Sequence, residues 1–106
     1  MKRAYDFNRC VRHIECGLED LKNGDIIIWR DTAGDIAHTL ERWLRRYGNI
    51  PQGTWLIYDI SKLLMDYDTG LTRIVSFINT EGQRESAHLS ENMYEHAVQD
   101  VLRGEK

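Results

Sequence analysis

Apolar residues near the start of the chain recur at the spacing of one helix face. They are three or four positions apart: Phe7, Val11, Ile14, Leu18 and Leu21. This periodicity predicts an amphipathic helix over about residues 6–22, with Asp6 as its N-cap and Asn23-Gly24 after its end. The β-branched run that follows, Asp25–Arg30, predicts a short buried strand.

The segment Thr32–Gly48 predicts a second helix with two different faces. Thr32 and Asp35 fit a capping box, and Gly48 fits a helix end. The apolar stripe, which we expect to pack on a sheet, has helical spacing: Ile36, Leu40, Trp43, Leu44 and Tyr47. The opposite face is basic: His38, Arg42, Arg45 and Arg46.

Residues 54–70 fit two structures. Apolar residues recur at helical spacing, but Asp66–Gly70 also resembles a hairpin turn that joins a strand Trp55–Met65 to a strand Leu71–Asn79. We favour the hairpin, although an eleven-residue strand is long. Residues Thr72–Ile78 predict a strand in either case, and a turn at Glu81-Gly82 predicts another strand near Arg84–His88.

The C-terminal residues predict a last helix. Ser90 is a suitable N-cap, Leu89 and Tyr94 occupy hydrophobic-staple positions, and Arg103-Gly104 is a typical ending. Its inner line would be Met93, Ala97 and Val101.

These elements predict the order α-β-α-β-β-β-α. We therefore expect residues 1–106 to form a single α+β domain, with three or four helices packed on a three- to four-stranded, mainly antiparallel sheet. The 42% of hydrophobic residues suffices for a core.

The charge and hydropathy of the chain argue against some classes of function. The net charge of −3 gives no bulk attraction to nucleic acid or anionic membranes. The sequence has neither an apolar run of about 20 residues nor a hydrophobic signal-peptide core, so we expect a cytoplasmic protein with no membrane partner.

The two cysteines suggest no strong metal or disulfide site. If Cys10 and Cys16 share a helix, they are separated by roughly 9 Å of rise, beyond disulfide reach. Cys10, His13 and Cys16 would not converge on one zinc ion from such a helix. We expect free thiols and neither a metal nor a cofactor.

Enzymatic chemistry has little support in the sequence. Cys10 with His38 would be one nucleophile–base pair, and His38 with Asp31 or Asp35 one base with its orienting group. The chain contains no P-loop, dinucleotide fingerprint, nucleophile elbow or HExxH motif. An enzyme is therefore the less favoured class.

The basic helix face supports nucleic-acid binding as an alternative function. Arg42, Arg45 and Arg46 would contact phosphates, with Arg30 or Arg84 nearby if the fold permits. Three arginines would contact only a few phosphates, which gives weak binding. In addition, Glu41 stands four residues before Arg45, an arrangement typical of a solvated helix.

The leading hypothesis is a protein-binding module. Its predicted contact residues combine an aromatic side chain with carboxylates that favour a basic partner: Asp59, Asp66, Tyr67 and Asp68. Size and acidity are typical of an inhibitor, immunity protein or accessory factor of a phage or other mobile element. A homodimer is a further possibility.

Overall fold

Seven β-strands and one short α-helix form the regular structure of the residues that the computed structural model describes, which are 11–30, 50–67 and 70–104. The strands are β1 (Val11–Ile14), β2 (Ile26–Trp29), β3 (Gly53–Ile60), β4 (Leu64–Asp66), β5 (Gly70–Asn79), β6 (Arg84–Ser90) and β7 (Val98–Gly104). The helix α1 (Glu91–Ala97) lies between β6 and β7, and a 3-10 turn spans Leu18–Asp20.

The strands form one antiparallel sheet in which chain order and spatial order differ. The last strand, β7, lies between β1 and β2, and β2 pairs with β3. The long strand β5 pairs with both β3 and β4, and also with β6. Thr72 of β5 stands opposite Leu64 of β4 and opposite Ser90 of β6, so β4 and β6 lie along opposite edges of β5.

One face of the sheet carries the core because side chains alternate between faces along each strand. Phe77 is central, with its ring 5.5 Å from Trp29 and 5.2 Å from Trp55 between centroids. The helix α1 packs against β5, β6 and β7, and its Met93 and Ala97 are buried.

The predicted fold class is wrong. The described residues form a seven-stranded antiparallel sheet with a single short α-helix, not three or four helices on a three- to four-stranded sheet. The order α-β-α-β-β-β-α fails because two segments with helical apolar spacing, at the two ends of the described chain, adopt extended backbone instead. The predicted helix Thr32–Gly48 lies outside the described residues.

The first of these segments is residues 11–22. Val11–Ile14 is a strand, and only the 3-10 turn at Leu18–Asp20 is helical; residues 6–10 lie outside the described part. Leu18 and Leu21 are buried as expected. The apolar spacing predicted the burial of Leu18 and Leu21, whereas Val11 and Ile14 are half-buried. Pairing with β7 makes the backbone of β1 extended.

The second segment is the C-terminal half of the predicted last helix. Ser90 caps α1 as predicted, with its hydroxyl accepting a 3.0 Å hydrogen bond from the Met93 amide. The helix nevertheless ends at Ala97, and residues 98–104 form β7. Val101 is buried, but between β1 and β2 rather than on a helix face.

The predicted strands of the middle of the chain are confirmed. Residues 25–30 contain β2, and the hairpin at 54–70 is present, with β4 paired to the start of β5 and Gly70 at φ +79°. The long strand that we expected before the hairpin is interrupted at residues 61–63, which gives β3 and β4. The two strands predicted after it extend to Gly70–Asn79 and Arg84–Ser90.

Candidate functional site

The exposed large hydrophobic side chains of the described residues are concentrated in one part of the chain. All six lie between positions 58 and 74: Tyr58, Leu63, Leu64, Met65, Tyr67 and Ile74. Met65 is 72% exposed, and Tyr67 is fully exposed. We call these six residues the β4 surface because β4 and the residues beside it contribute most of them.

The interruption between β3 and β4 is held in place by hydrogen bonds to β5. The Ser61 amide donates to the Ile74 carbonyl at 2.9 Å, and the Ser61 hydroxyl accepts from the Ile74 amide at 2.9 Å. Arg73 donates from Nε to the Ser61 carbonyl at 2.8 Å. The exposed residues on either side of Ser61 are therefore presented by a fixed backbone.

Part of the β4 surface lies on the face of the sheet opposite the core. Val75 and Phe77 of β5 are in the core, so Ile74 faces the other way, and Leu64 does too because it opposes Thr72. Tyr58 joins this outer face at a bulge in β3, where the guanidinium of Arg84 lies 5.4 Å from its ring centroid.

The predicted acidic contact residues are distributed over two ends of this surface. Asp59 is exposed on β3 and opposes Ser76, whereas Asp66 ends β4, opposes Gly70 and is followed by Tyr67. The residues of β5 that oppose them, Ser76 and Gly70, are six positions apart, about 20 Å at 3.3 Å per residue. The structure therefore brings Asp66 and Tyr67 together but not Asp59; Asp68 lies outside the described residues.

Sequence reasoning missed five apolar members of the surface: Tyr58, Leu63, Leu64, Met65 and Ile74. The sequence contains one indication of this exposure, which is the apolar run Leu63-Leu64-Met65 beside a polar turn. An apolar residue next to a hairpin turn has few neighbouring strand residues that could cover it. In the helical alternative for residues 54–70, Leu63 and Leu64 would belong to the apolar face.

The alternative basic face cannot be placed, because His38, Arg42, Arg45 and Arg46 lie outside the described residues. The two arginines expected near it have other contacts. Arg30 donates to the carbonyl of His96 and contacts its ring, and Arg84 lies over Tyr58.

A second notable region is a buried ion pair between Asp25 and Arg103. Asp25 is 1% exposed, and both of its carboxylate oxygens accept hydrogen bonds of 2.8 Å from Arg103. The same carboxylate accepts from the Lys22 amide at 3.0 Å, and Arg103 also donates to the Asp20 carbonyl at 3.1 Å. This pair links the end of β7 to the turn before β2.

A cavity of about 770 Å³ borders this ion pair, but its charges are nearly balanced. Its charged lining comprises Arg12, Glu15, Glu19, Asp20, Lys22, Arg73 and Arg103, with His13 beside them. Arg73 donates to the carbonyls of Leu18, Glu19 and Leu21 at 3.1, 3.0 and 3.3 Å, which fixes the 3-10 turn. Two of the arginines that line the cavity therefore have structural roles, and the basic residues of the lining exceed the acidic ones by only one.

Cys16 beside the cavity is not an activated nucleophile. Burial raises the pKa of its thiol above the ordinary value, so the unreactive thiol form persists at neutral pH. The Tyr94 hydroxyl donates to the Cys16 carbonyl, and burial raises the Tyr94 pKa as well. The residues of the conceivable catalytic pairs, which are Cys10, His38, Asp31 and Asp35, all lie outside the described residues.

Other features of the described residues add no chemistry. Across 11–30, 50–67 and 70–104, no three His, Cys, Asp or Glu side chains are grouped closely enough to hold a metal ion. His13 pairs with Asp100 at the surface. Within the same ranges, no helix has the length and apolar character required to cross a membrane.

Comparisons with known proteins assign no relative to this chain. No protein-family model, curated protein or solved structure matches it.

Proposed function

We propose that this protein acts by binding another protein through the β4 surface. The observation that carries the proposal is that all six large hydrophobic side chains exposed in the described residues lie at positions 58–74, four of them at positions 63–67 in and beside β4. Exposed apolar residues scattered singly need no explanation, whereas grouped ones are typical of interaction sites.

The residue types also favour recognition of a protein. Tyrosine and methionine are enriched in interfaces, since each offers a large contact area and tyrosine adds a hydroxyl for hydrogen bonding. Tyr67, fully exposed at the tip of the hairpin, and Met65 are the expected anchors. Asp66 beside them, with Asp59 at the other end, favours a partner with basic residues around an apolar pocket.

The biological role that we propose is that of an inhibitor, immunity protein or accessory factor of a phage or other mobile element. Such proteins act by occupying a partner's surface, so they need a rigid scaffold and no catalytic group. The suggestion rests on the small size and acidic charge of the chain, which is an analogy.

The test is capture of a partner from host lysate with and without nuclease, comparing wild type with the double variant Met65→Ser/Tyr67→Ala. We expect the double variant to lose a nuclease-resistant protein partner, because it removes the two most exposed apolar side chains. Gln99→Ala, an exposed change on β7, is the matched control and should retain the partner.

Equal thermal midpoints of the three proteins would show that the loss is local. A partner retained by Met65→Ser/Tyr67→Ala would contradict the proposed surface. Capture that nuclease abolishes, and that Arg42→Glu/Arg45→Glu/Arg46→Glu also abolishes, would favour the nucleic-acid alternative instead.

A further inference from the structure

Met65 is the one methionine of the described residues that lies in contact with solvent. We infer that it is a modification site at which hydrogen peroxide converts the thioether to the sulfoxide, and that the polar product weakens binding at the β4 surface. The effect on binding rests on the proposed function, whereas the selectivity of the oxidation rests on the exposure of the side chain alone.

The first support is the contrast between the two methionines in the described residues. Met65 is 72% exposed, whereas Met93 of α1 is 1% exposed and belongs to the core. Peroxide oxidises a methionine sulfur that it can reach, so Met93 is protected until the surrounding structure opens. Met1, the remaining methionine of the chain, lies outside the described residues.

The second support is the reason why the core does not cover Met65. Met65 opposes Leu71 of β5, so both side chains lie on the face of the sheet that carries Val75. Arg73 stands between Leu71 and Val75 on this face, and its guanidinium donates hydrogen bonds to carbonyls of the 3-10 turn. A charged group with its partners therefore lies between the core and Met65, and the exposure of Met65 follows from the fold.

The oxidation requires hydrogen peroxide as its only co-reactant. A lone pair of the Met65 Sδ attacks one peroxide oxygen, so that an S–O bond forms and the O–O bond breaks. The hydroxide that leaves takes the proton of the transferred oxygen and becomes water. The sulfur is oxidised by two electrons, and the peroxide is reduced. Methionine sulfoxide reductases reverse the step with two thiols, which become a disulfide while the oxygen leaves as water.

The sulfoxide changes the β4 surface at one of its two most exposed residues. Oxidation replaces a flexible apolar side chain by a polar one, two positions before Tyr67. A partner pocket that receives the apolar side chain would then have to bury the sulfoxide oxygen, and burying a polar group without a hydrogen bond is costly. Peroxide should therefore weaken binding without unfolding the protein.

The test treats the purified protein with increasing hydrogen peroxide and locates the oxidised methionines by peptide mass spectrometry. We expect the Met65 sulfoxide to form about tenfold faster or more than the Met93 sulfoxide. Hydrophobic-interaction chromatography on a phenyl column then reports the apolar surface of the folded protein. The oxidised protein should elute earlier, and the two methionine sulfoxide reductases, one for each sulfoxide epimer, should restore its retention.

Met65→Leu is the matched control, because leucine is an apolar residue of similar size without a sulfur. This variant keeps the other residues that peroxide could oxidise, so a peroxide-dependent shift in its retention would arise elsewhere in the chain. We expect its retention to stay unchanged by peroxide. Far-UV circular dichroism and the thermal midpoint, measured before and after treatment, report the folding of both proteins.

Equal oxidation rates of Met65 and Met93 in the folded protein would overturn the inference, as would an unchanged retention of wild type after Met65 is oxidised. These measurements use no partner, so they are independent of the lysate experiment. In that experiment, a partner captured equally by oxidised and reduced wild type would contradict the effect on binding. A partner retained by Met65→Ser/Tyr67→Ala would instead contradict the proposed function and leave the selective oxidation in place.

Discussion

At the scale of single residues, Asp25 connects several parts of the molecule, although no motif in the sequence indicated such a role. Its carboxylate binds Arg103 of β7 and the Lys22 amide, and its backbone carbonyl accepts a 2.9 Å hydrogen bond from the Ile57 amide of β3. A carboxylate with 1% exposure requires such partners, since an uncompensated buried charge is costly. Asp25 therefore fixes the turn before β2 to two neighbouring strands.

We predict that Asp25→Asn lowers the free energy of unfolding by about 3 kcal/mol, because removing one partner of a buried pair leaves the other charge uncompensated. Urea unfolding monitored by tryptophan fluorescence measures the change. His13→Gln, which removes the exposed pair with Asp100, is the control and should cost less than about 1 kcal/mol. Equal losses in both variants would contradict the structural role of Asp25.

At the scale of elements, the segment from Ser90 to Gly104 is divided into a helix and a strand. A local sequence signal starts the helix, and a tertiary interaction ends it. The N-cap at Ser90 is local, and the helix begins there. Met93, Ala97 and Val101 are all buried, as one continuous helix would have them. Val98 instead pairs with Trp29, and Val101 pairs with Ile27 of β2. The helix ends after two turns because the residues that follow it pair as a strand with both β1 and β2.

We predict that Ser90→Ala costs about 1 kcal/mol of stability, because the Met93 amide loses its side-chain acceptor at the helix N-terminus. Chemical denaturation provides the measurement. The matched control is Ser86→Ala on the same strand, where the hydroxyl pairs with Ser76 at the surface. That change should stay within about 0.5 kcal/mol, as usual for an exposed site. The cap assignment is wrong if Ser90→Ala is equally neutral.

At the scale of the whole molecule, the sheet joins residues that are distant in the chain. Strand β7 pairs with β1, about 90 residues earlier, so that Ile14 stands opposite Val101 and His13 opposite Leu102. The pairing adds β1 to the sheet and leaves β1, β4 and β6 as edge strands of the described structure. At the β4 end, no other described strand pairs with the second side of this three-residue strand.

The β1–β7 pairing predicts a specific cross-link. With Cys10 and Cys16 changed to serine, the variant His13→Cys/Leu102→Cys should form a disulfide under mild oxidation, because directly opposed strand residues have Cα atoms within bonding range. Peptide mapping by mass spectrometry without reduction detects it. The control His13→Cys/Gln99→Cys shifts one cysteine three residues along β7, roughly 10 Å, and should remain reduced. Similar yields in both variants would refute the register.

Several elements were predictable because their signals are local. A β-branched run predicted β2, a glycine turn predicted the hairpin before β5, and Ser90 with its neighbours predicted the start of α1. Burial of Leu18, Leu21 and Val101 was also predictable, since apolar residues leave water in either backbone conformation. Of the candidate site, Asp66 and Tyr67 were found in the sequence as a polar turn with an exposed aromatic residue.

The sequence by itself thus determined which residues are apolar enough to be buried. It also determined where a glycine or a helix cap begins or ends an element. The tertiary structure alone decided that β1 and β7 are strands, because each gains its hydrogen bonds from a strand far away in the chain. It alone also decided that Tyr58 and Ile74 are exposed. Whether an apolar side chain is covered depends on the neighbouring strands, and no spacing along the sequence contains that information.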